Sequence, residues 1–482
     1  MSMEVLGVEQ FGHLNLSGWG LDHVESLDAL NKALGTGQSG EAYGQYTGDM
    51  SVLRPQSLEL TLKTSLATEK HVKLYKRIAK RPAYNTTEEY NRMVSFGGKS
   101  SPFMIDGGLP NEEDSQWERR SALVKFLGTT RSITLGATLV RNVLGDMVTK
   151  QSQDGTTWLL KQIESSLFYG DSQLDPLQWD GLFAQIERDE PTHVIDMRGK
   201  FLTEGVFEAA AYLIATQGYG VPEVAYLNNY DKAALATLII GDGTDPNTNF
   251  RRAPWGAANG TLGAPVNKYE SAHGTIPFEN NLFIQKGENA PTAASNPDAP
   301  SAPTLSGAIT AGADATAKFA ATDAGTQTYS IVAVNAKGWS VPVTGTVAVA
   351  AGQAVTITVN NPAGVRYYKV YRSTAPGSNK VQHAFDVKAT AGATTTIVDK
   401  NFDIPGTSRC LVGDFDGEQA VRFMQLAPLM KLPLARISTA ERFMILMYGM
   451  PVVYNAKRFV VIKNIGWVPG FDPGAMHDAL NK

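Results

Sequence analysis

The sequence predicts an α+β subunit interrupted by an all-β domain. Three observations carry this prediction. Helical and strand periodicities alternate from about residue 142 to residue 290. Between Ala302 and about Pro405 only short alternating strands are found. From Ser408 the mixed character returns, so the β domain interrupts another domain and does not follow it.

The clearest element is a helix ending near Tyr169. Leu159, Ile163 and Leu167 repeat every fourth residue and so share one face, with Trp158 and Leu160 flanking it. Asp154 is the expected N-cap, and Gly170 is expected to stop the helix. A polar loop through Pro176 then leads to an apolar landing at Trp179-Asp180-Gly181-Leu182. The run IESSLFYGD…P…WDGL resembles a signature of tailed-bacteriophage major capsid proteins with the Hong Kong 97-type fold. In those proteins a long spine helix ends in E-x-x-L-(F/Y)-x-G-D and P-x-x-(F/W)-x-G-(I/L) follows.

A length of 482 residues predicts two or three domains with a large core. Lys and Arg number 43 against 47 Asp and Glu, a net charge of −4, so no global basic field marks a nucleic-acid binder. The single cysteine, Cys410, excludes an intrachain disulfide and a cysteine-based zinc site. The N-terminal residues show no basic stretch followed by an apolar run, and no apolar segment is long enough to span a bilayer. The expectation is a soluble protein of a reducing cytoplasm.

Residues 1–95 read as an extended arm, with one short helical pattern at Asp22–Ala33, followed by a first peripheral segment. Leu58, Leu60 and Leu62 alternate as in a strand, and His71, Leu74, Tyr75 and Ile78 share a helical face. Lys70, Lys73, Arg77, Lys80 and Arg81 cluster on the other side. That face is either a solvated charged surface or a contact to DNA phosphate or a neighbour's acidic rim, with Lys73, Arg77 and Lys80 as its candidates.

Residues 96–141 form a long excursion rich in Gly and Pro, with β-rich runs at Ala122–Leu127 and Ser132–Val140 around Gly128-Thr129. This resembles the extended loop of the capsid fold, a hairpin lying over the neighbouring subunit. The resemblance makes Glu112, Glu113, Arg119, Arg120, Lys125 and Arg131 candidate intersubunit contacts, complementary charges that set register between copies. Some family members cross-link through a lysine here. Lys125 lacks the partner motif, and no covalent bond is expected of it.

Residues 142–200 hold the spine helix and peripheral domain. Residues 201–290 resemble the axial domain. There a helix is expected at Thr203–Gln217 with Val206, Ala210, Leu213 and Ile214 buried, then a strand at Pro222–Leu227 and a helix at Tyr230–Ile240. The turn-rich Gly241–Gly263 carries Arg251, Arg252 and Trp255, which the resemblance places at contacts near a symmetry axis. An ordinary surface loop is the other reading.

Asn289–Pro303 is a linker. Seven strands are then expected at Thr316–Ala320, Thr328–Val334, Val343–Val349, Ala354–Val359, Tyr367–Tyr371, Ala384–Val387 and Thr394–Val398. YSIVAVNAKGWSVP and YYKVYRSTAPG resemble an immunoglobulin-like or fibronectin type III-like sandwich spanning 296–405. Residues 408–482 return to the axial and peripheral domains, with ERFMILMYGMPVVYNAKRFVVIKNIG similar to the C-terminal part of the capsid proteins. Pro451–Tyr454 and Phe459–Ile465 are expected as two buried strands joined by Asn455-Ala456.

Catalytic motifs fail on inspection. Gly98-Lys99-Ser100 would need a glycine at Met93 to be a P-loop, and Gly37-Gln38-Ser39 is followed by Glu41 where a nucleophile elbow needs glycine. Asp242–Asp245 lacks the spacing of a calcium loop, and no histidine pair has metal-ligand spacing. Neither an enzyme, a cofactor nor a metal is expected.

The resemblance implies a structural protein of the virion capsid. Copies would form hexamers and pentamers of an icosahedral shell around double-stranded DNA, assembled in the host cytoplasm, with the insert as an outward decoration. Partners implied are a scaffolding protein, a portal, a cement protein and non-specifically contacted DNA, with no membrane. The alternatives are an encapsulin-type compartment packaging protein and a surface adhesin built on the sandwich.

Overall fold

The computed structural model describes residues 69–98, 101, 103–109, 112–139, 146–240, 266–435 and 439–468. The described residues all fall within one compact unit, Leu66–Lys482. The arm, the Leu58–Leu62 alternation and the Gly241–Gly263 loop with Arg251, Arg252 and Trp255 lie outside the described residues.

The segment around Lys73 does not form the expected continuous helix. A 3-10 turn at Glu69–His71 is followed by one helical turn, α1 (Leu74–Arg77), and Ile78 is already extended. Strand β1 (Ala79–Pro82) follows. Strands β2 (Thr87–Ser95) and β3 (Gln116–Leu123) then pair antiparallel as a hairpin. The expected hairpin around Gly128-Thr129 is therefore displaced. Those residues lie inside one strand, β4 (Lys125–Thr134), and the run that follows becomes helix α2 (Leu135–Leu139). Gly128 reads as a turn residue in sequence, but it marks a close approach: a Cβ there would stand 2.5 Å from Leu446 Cδ2.

The spine helix α3 runs Met147–Tyr169, longer than expected. Its cap is Asp146, whose carboxylate accepts from the N–H groups of Val148 and Thr149, each at 3.1 Å. Asp154 lies inside the helix and pairs with Lys150 at 2.9 Å. The helix stops at Gly170. After it come α4 (Leu182–Asp189), β5 (Val194–Asp196), α5 (Glu204–Gln217), β6 (Val224–Leu227), α6 (Asn229–Ile240), β7 (Lys268–Ser271) and β8 (Gly274–Asn280). In α5 the fully buried side chains are Phe207, Ala210, Ala211 and Ile214. Val206 and Leu213 lie at the margin of the same core.

The interrupting domain contains β9 (Thr304–Leu305), β10 (Thr310–Ala313), β11 (Gly325–Val334), β12 (Val343–Val349), β13 (Gln353–Asn360), β14 (Tyr367–Ser373), β15 (Val381–Lys388) and β16 (Thr394–Asp399). They form two sheets, ordered β12-β11-β14-β15 and β10-β13-β16, with β9 also on β13. Tyr329, Ile331, Val355, Ile357, Tyr368, Val370 and Ile397 fill the space between them. The strand expected at Thr316–Ala320 is absent. That segment is irregular and contributes buried Phe319 to the core.

The chain then returns through β17 (Ser408–Gly413), β18 (Val421–Pro433), β19 (Ala440–Val453) and β20 (Phe459–Ile465). A four-stranded sheet runs β1-β18-β19-β4 and a six-stranded sheet β5-β20-β17-β6-β8-β7. Pro451–Val453 is the end of β19, so the two closing strands belong to different sheets. Strand β17, which follows the insert, sits between β6, which precedes it, and β20. The halves of the chain on either side of the insert thus close one sheet.

Both faces of that sheet are covered. Val224, Tyr226, Leu411 and Val461 face the core of the spine helix, where Ile163, Leu167 and Phe168 lie. Ala225, Leu227, Val412 and Val460 face α5. Two-sided burial is why these strands read as continuous apolar runs.

Candidate assembly surface and the joint at the spine helix

Glu164 is fully buried on the spine helix. Its Oε1 accepts from the backbone N–H of Lys73 (3.0 Å) and Leu74 (2.7 Å) and from Asn281 Nδ2 (2.7 Å), and its Oε2 accepts from Tyr75 N–H (2.8 Å). Three of these donors are the free N–H groups at the start of α1. One carboxylate thus ties three distant segments together and shows why the helix there is a single turn: it is held by an acceptor on another element.

The glycines of the same signature permit a backbone crossing. Gly181 N–H donates to Gly170 O at 2.8 Å, and a Cβ on Gly170 would stand 2.6 Å from the carbonyl oxygens of Ser166 and Trp179. Trp179 is buried and its indole N–H donates to Ser166 O. Arg188 on α4 bridges Asp171 and Asp180. Burial alone would raise the Asp180 pKa. Hydrogen bonds from Ser172 and Arg188 outweigh it and hold the carboxyl below its ordinary value.

The candidate basic face is matched within the chain. Lys73 Nζ donates to Asn280 O and Oδ1 at 2.7 and 2.8 Å, and Arg77 pairs with Glu223 at 3.1 Å and Glu279 at 2.5 Å. Lys80 Nζ donates to Tyr75 O and lies 4.4 Å from the Tyr75 ring centre. The structure thus gives all three a role in joining α1 to its neighbours.

The candidate residues of the extended loop separate into two groups. Glu112 and Glu113 are exposed in the hairpin loop, and Arg119 forms an exposed pair with Glu89 at 3.4 Å. Arg120 turns inward to Asp189 at 2.5 Å and to Glu118 at 2.9 Å. Lys125 donates to Pro176 O, and Arg131 sits on β4 beside Gly155 of the spine helix. Arg120, Lys125 and Arg131 therefore anchor the hairpin and β4 to their own subunit. At the same base, the Tyr90 and Tyr454 rings meet edge to face at 5.2 Å.

Reasoning from charge misses the apolar side chains of this region. Tyr84, Val94, Phe96, Phe103, Met104, Ile105, Leu109, Trp117, Leu123, Phe126 and Leu139 are all exposed, with Phe103 at 89% and Leu109 at 94%. About half of the large apolar side chains exposed among the described residues fall between 84 and 139. Their signal was present in the PFMIDGGL run, apolar residues without a period inside a Gly/Pro-rich loop. Among the described residues no group of three or more His, Cys, Asp or Glu is arranged to hold a metal, and no helix is long and apolar enough to cross a membrane.

Residues 110–299 match the family model described as SU10 major capsid protein. The major capsid proteins of Staphylococcus phage S25-3 and Staphylococcus phage K are each 27% identical over 450 residues, covering 87% of this chain and 91% of theirs. Among solved structures, the capsid of a native GTA particle overlies 87% of this chain and 97% of its own (9% identity, TM-score 0.48). The holo-SrpI encapsulin complex of Synechococcus elongatus overlies 89% and 100% (8% identity, TM-score 0.44). The family model spans β3, β4, the spine helix, α5 and α6, and the relatives extend the match to most of the chain. The chain is similar over most of its length to major capsid proteins of phages.

Proposed function

We propose that the chain is the shell-forming subunit of a tailed-phage head, with copies closing as hexamers and pentamers around double-stranded DNA. The observation that carries this reading is the apolar surface at residues 84–139, in a chain similar to major capsid proteins. A two-stranded ribbon is marginal alone in water. Covering by a neighbouring copy supplies the burial that the hairpin lacks in the subunit. Each large side chain buried there contributes roughly 1.5–3 kcal/mol, and repetition around a closed shell multiplies small contacts into a stable assembly. Exposed Glu112, Glu113 and Arg119 set the register of that contact.

The role is structural, with no catalytic step. Scaffolding protein, portal, cement protein and packaged DNA are the partners this reading calls for, with assembly in the host cytoplasm. Arg251, Arg252 and Trp255 are its proposed contacts near the symmetry axes.

Replacing Phe103, Met104, Ile105 and Leu109 together by Ser tests the reading. The variant subunit is expected to keep its melting temperature while losing particle formation in sedimentation. Particles at wild-type yield would refute the reading.

A further inference from the structure

Four non-glycine residues among those described have φ in the left-handed region, and three of them meet at one seam: Arg198 (+50°), Asn401 (+58°) and Asn464 (+57°). The seam lies where the insert meets the six-stranded sheet. Arg198 donates to Asn401 O at 2.6 Å and to Lys318 O at 2.7 Å. Asn464 Nδ2 donates to Phe402 O at 2.8 Å and to Asp196 Oδ1 at 2.7 Å, and its Oδ1 accepts from Ile404 N–H at 2.9 Å. From Asn401 the bonding continues into the sandwich. Its Oδ1 accepts from Arg372 at 2.5 Å, and Arg372 pairs with Asp399 at 2.5 Å. Tyr329 OH also donates to Asp399, at 2.9 Å. Arg372 and Asp399 are both buried. A continuous polar path thus runs from the interior of the insert to the sheet that carries it.

A second attachment lies elsewhere on the insert. Arg366, just before β14, pairs at 2.7 Å with the buried carboxylate of Asp175, in the loop after the spine helix. Between the two, Glu288 accepts from Tyr371 OH at 3.1 Å and pairs with Lys369 at 3.3 Å. Gln382 donates to Gly287 O and Asn289 Oδ1. These contacts fall along β14 and β15, so the sheet containing them lies over the subunit body. On the other sheet, Thr304, Asn360, Thr394, Thr396 and Val398 remain exposed and uncharged.

We infer that the insert is a rigidly mounted part of the subunit. It is keyed to the six-stranded sheet by Arg198, Asn401 and Asn464 and to the spine-helix loop by Asp175 and Arg366, and it presents its uncharged threonine face at a fixed angle. A domain joined only by two chain crossings would swing on them. Here two separated polar attachments remove that freedom, and strained backbone persists only where its surroundings hold it.

Hydrogen exchange on the full-length chain tests this, on soluble subunits as well as particles, so the outcome is independent of whether shells form. In the Arg198→Ala, Arg366→Ala double variant, amides in 316–320 and 399–405 are expected to exchange about tenfold faster or more, with 224–227 and 459–462 unchanged. Arg366→Ala alone is expected to accelerate exchange only near residues 366–368. Wild-type exchange in the double variant would overturn the inference. So would electron-microscopy density of the wild-type insert blurred relative to the six-stranded sheet.

Discussion

Glu164 shows how a single side chain can decide the layout of a subunit. A buried carboxylate is stable only when its lone pairs are filled, and here four N–H groups fill them. Glu164→Ala leaves those donors without their acceptor in a closed space. A loss of roughly 3–5 kcal/mol is expected, read as a lowered denaturation midpoint; a loss under about 1 kcal/mol would remove Glu164 from this role. The pH dependence follows from Asp180. Its pKa is depressed in the folded chain, so the stability it contributes is present above the unfolded carboxyl value of about 4. That contribution is lost as pH falls through the folded value. Melting curves between about pH 2 and pH 6 should therefore fall more steeply for wild type than for Asp180→Asn, and parallel curves would contradict the assignment. The presence of Glu164 in a recurring phrase was legible in the sequence. Its bonding was not, because the segment it holds lies 89–91 residues away.

At the scale of elements, periodicity served well where one face is buried and poorly where backbone spacing decides. The spine helix, α5, α6 and most strands of the insert were legible because apolar residues mark their inner faces. The hairpin was misplaced because β2 and β3 carry few buried residues, and Gly128 looked like a turn. Its actual position in β4, against Leu446 of β19, gives a prediction. Gly128→Val forces apart two long paired strands and should cost about 1–3 kcal/mol, lowering the melting temperature of the subunit. Unchanged melting would mean that the β4–β19 register tolerates the added side chain. The basic face was read as available charge. Sequence shows that Lys73 and Arg77 are basic, but not that Asn280, Glu223 and Glu279 fold back to meet them.

For the whole molecule, the return of mixed character after Ser408 corresponds to β17 and β20 joining β6 in one sheet. How the insert is held was not legible, since its attachment rests on backbone carbonyls and on left-handed Arg198, which leave no compositional trace. The proposed assembly surface is similarly half-legible. Its charged residues stood out, whereas the exposed apolar side chains are recognisable only once a folded subunit leaves them uncovered. A subunit with this surface, similar to major capsid proteins, should exist chiefly as a closed shell. Cryo-electron microscopy of native particles containing this chain tests that claim most directly. Icosahedral shells with DNA density inside, and the 84–139 region covered by a neighbouring copy, are the expected result. Free monomers, or shells filled with protein and no nucleic acid, would contradict it.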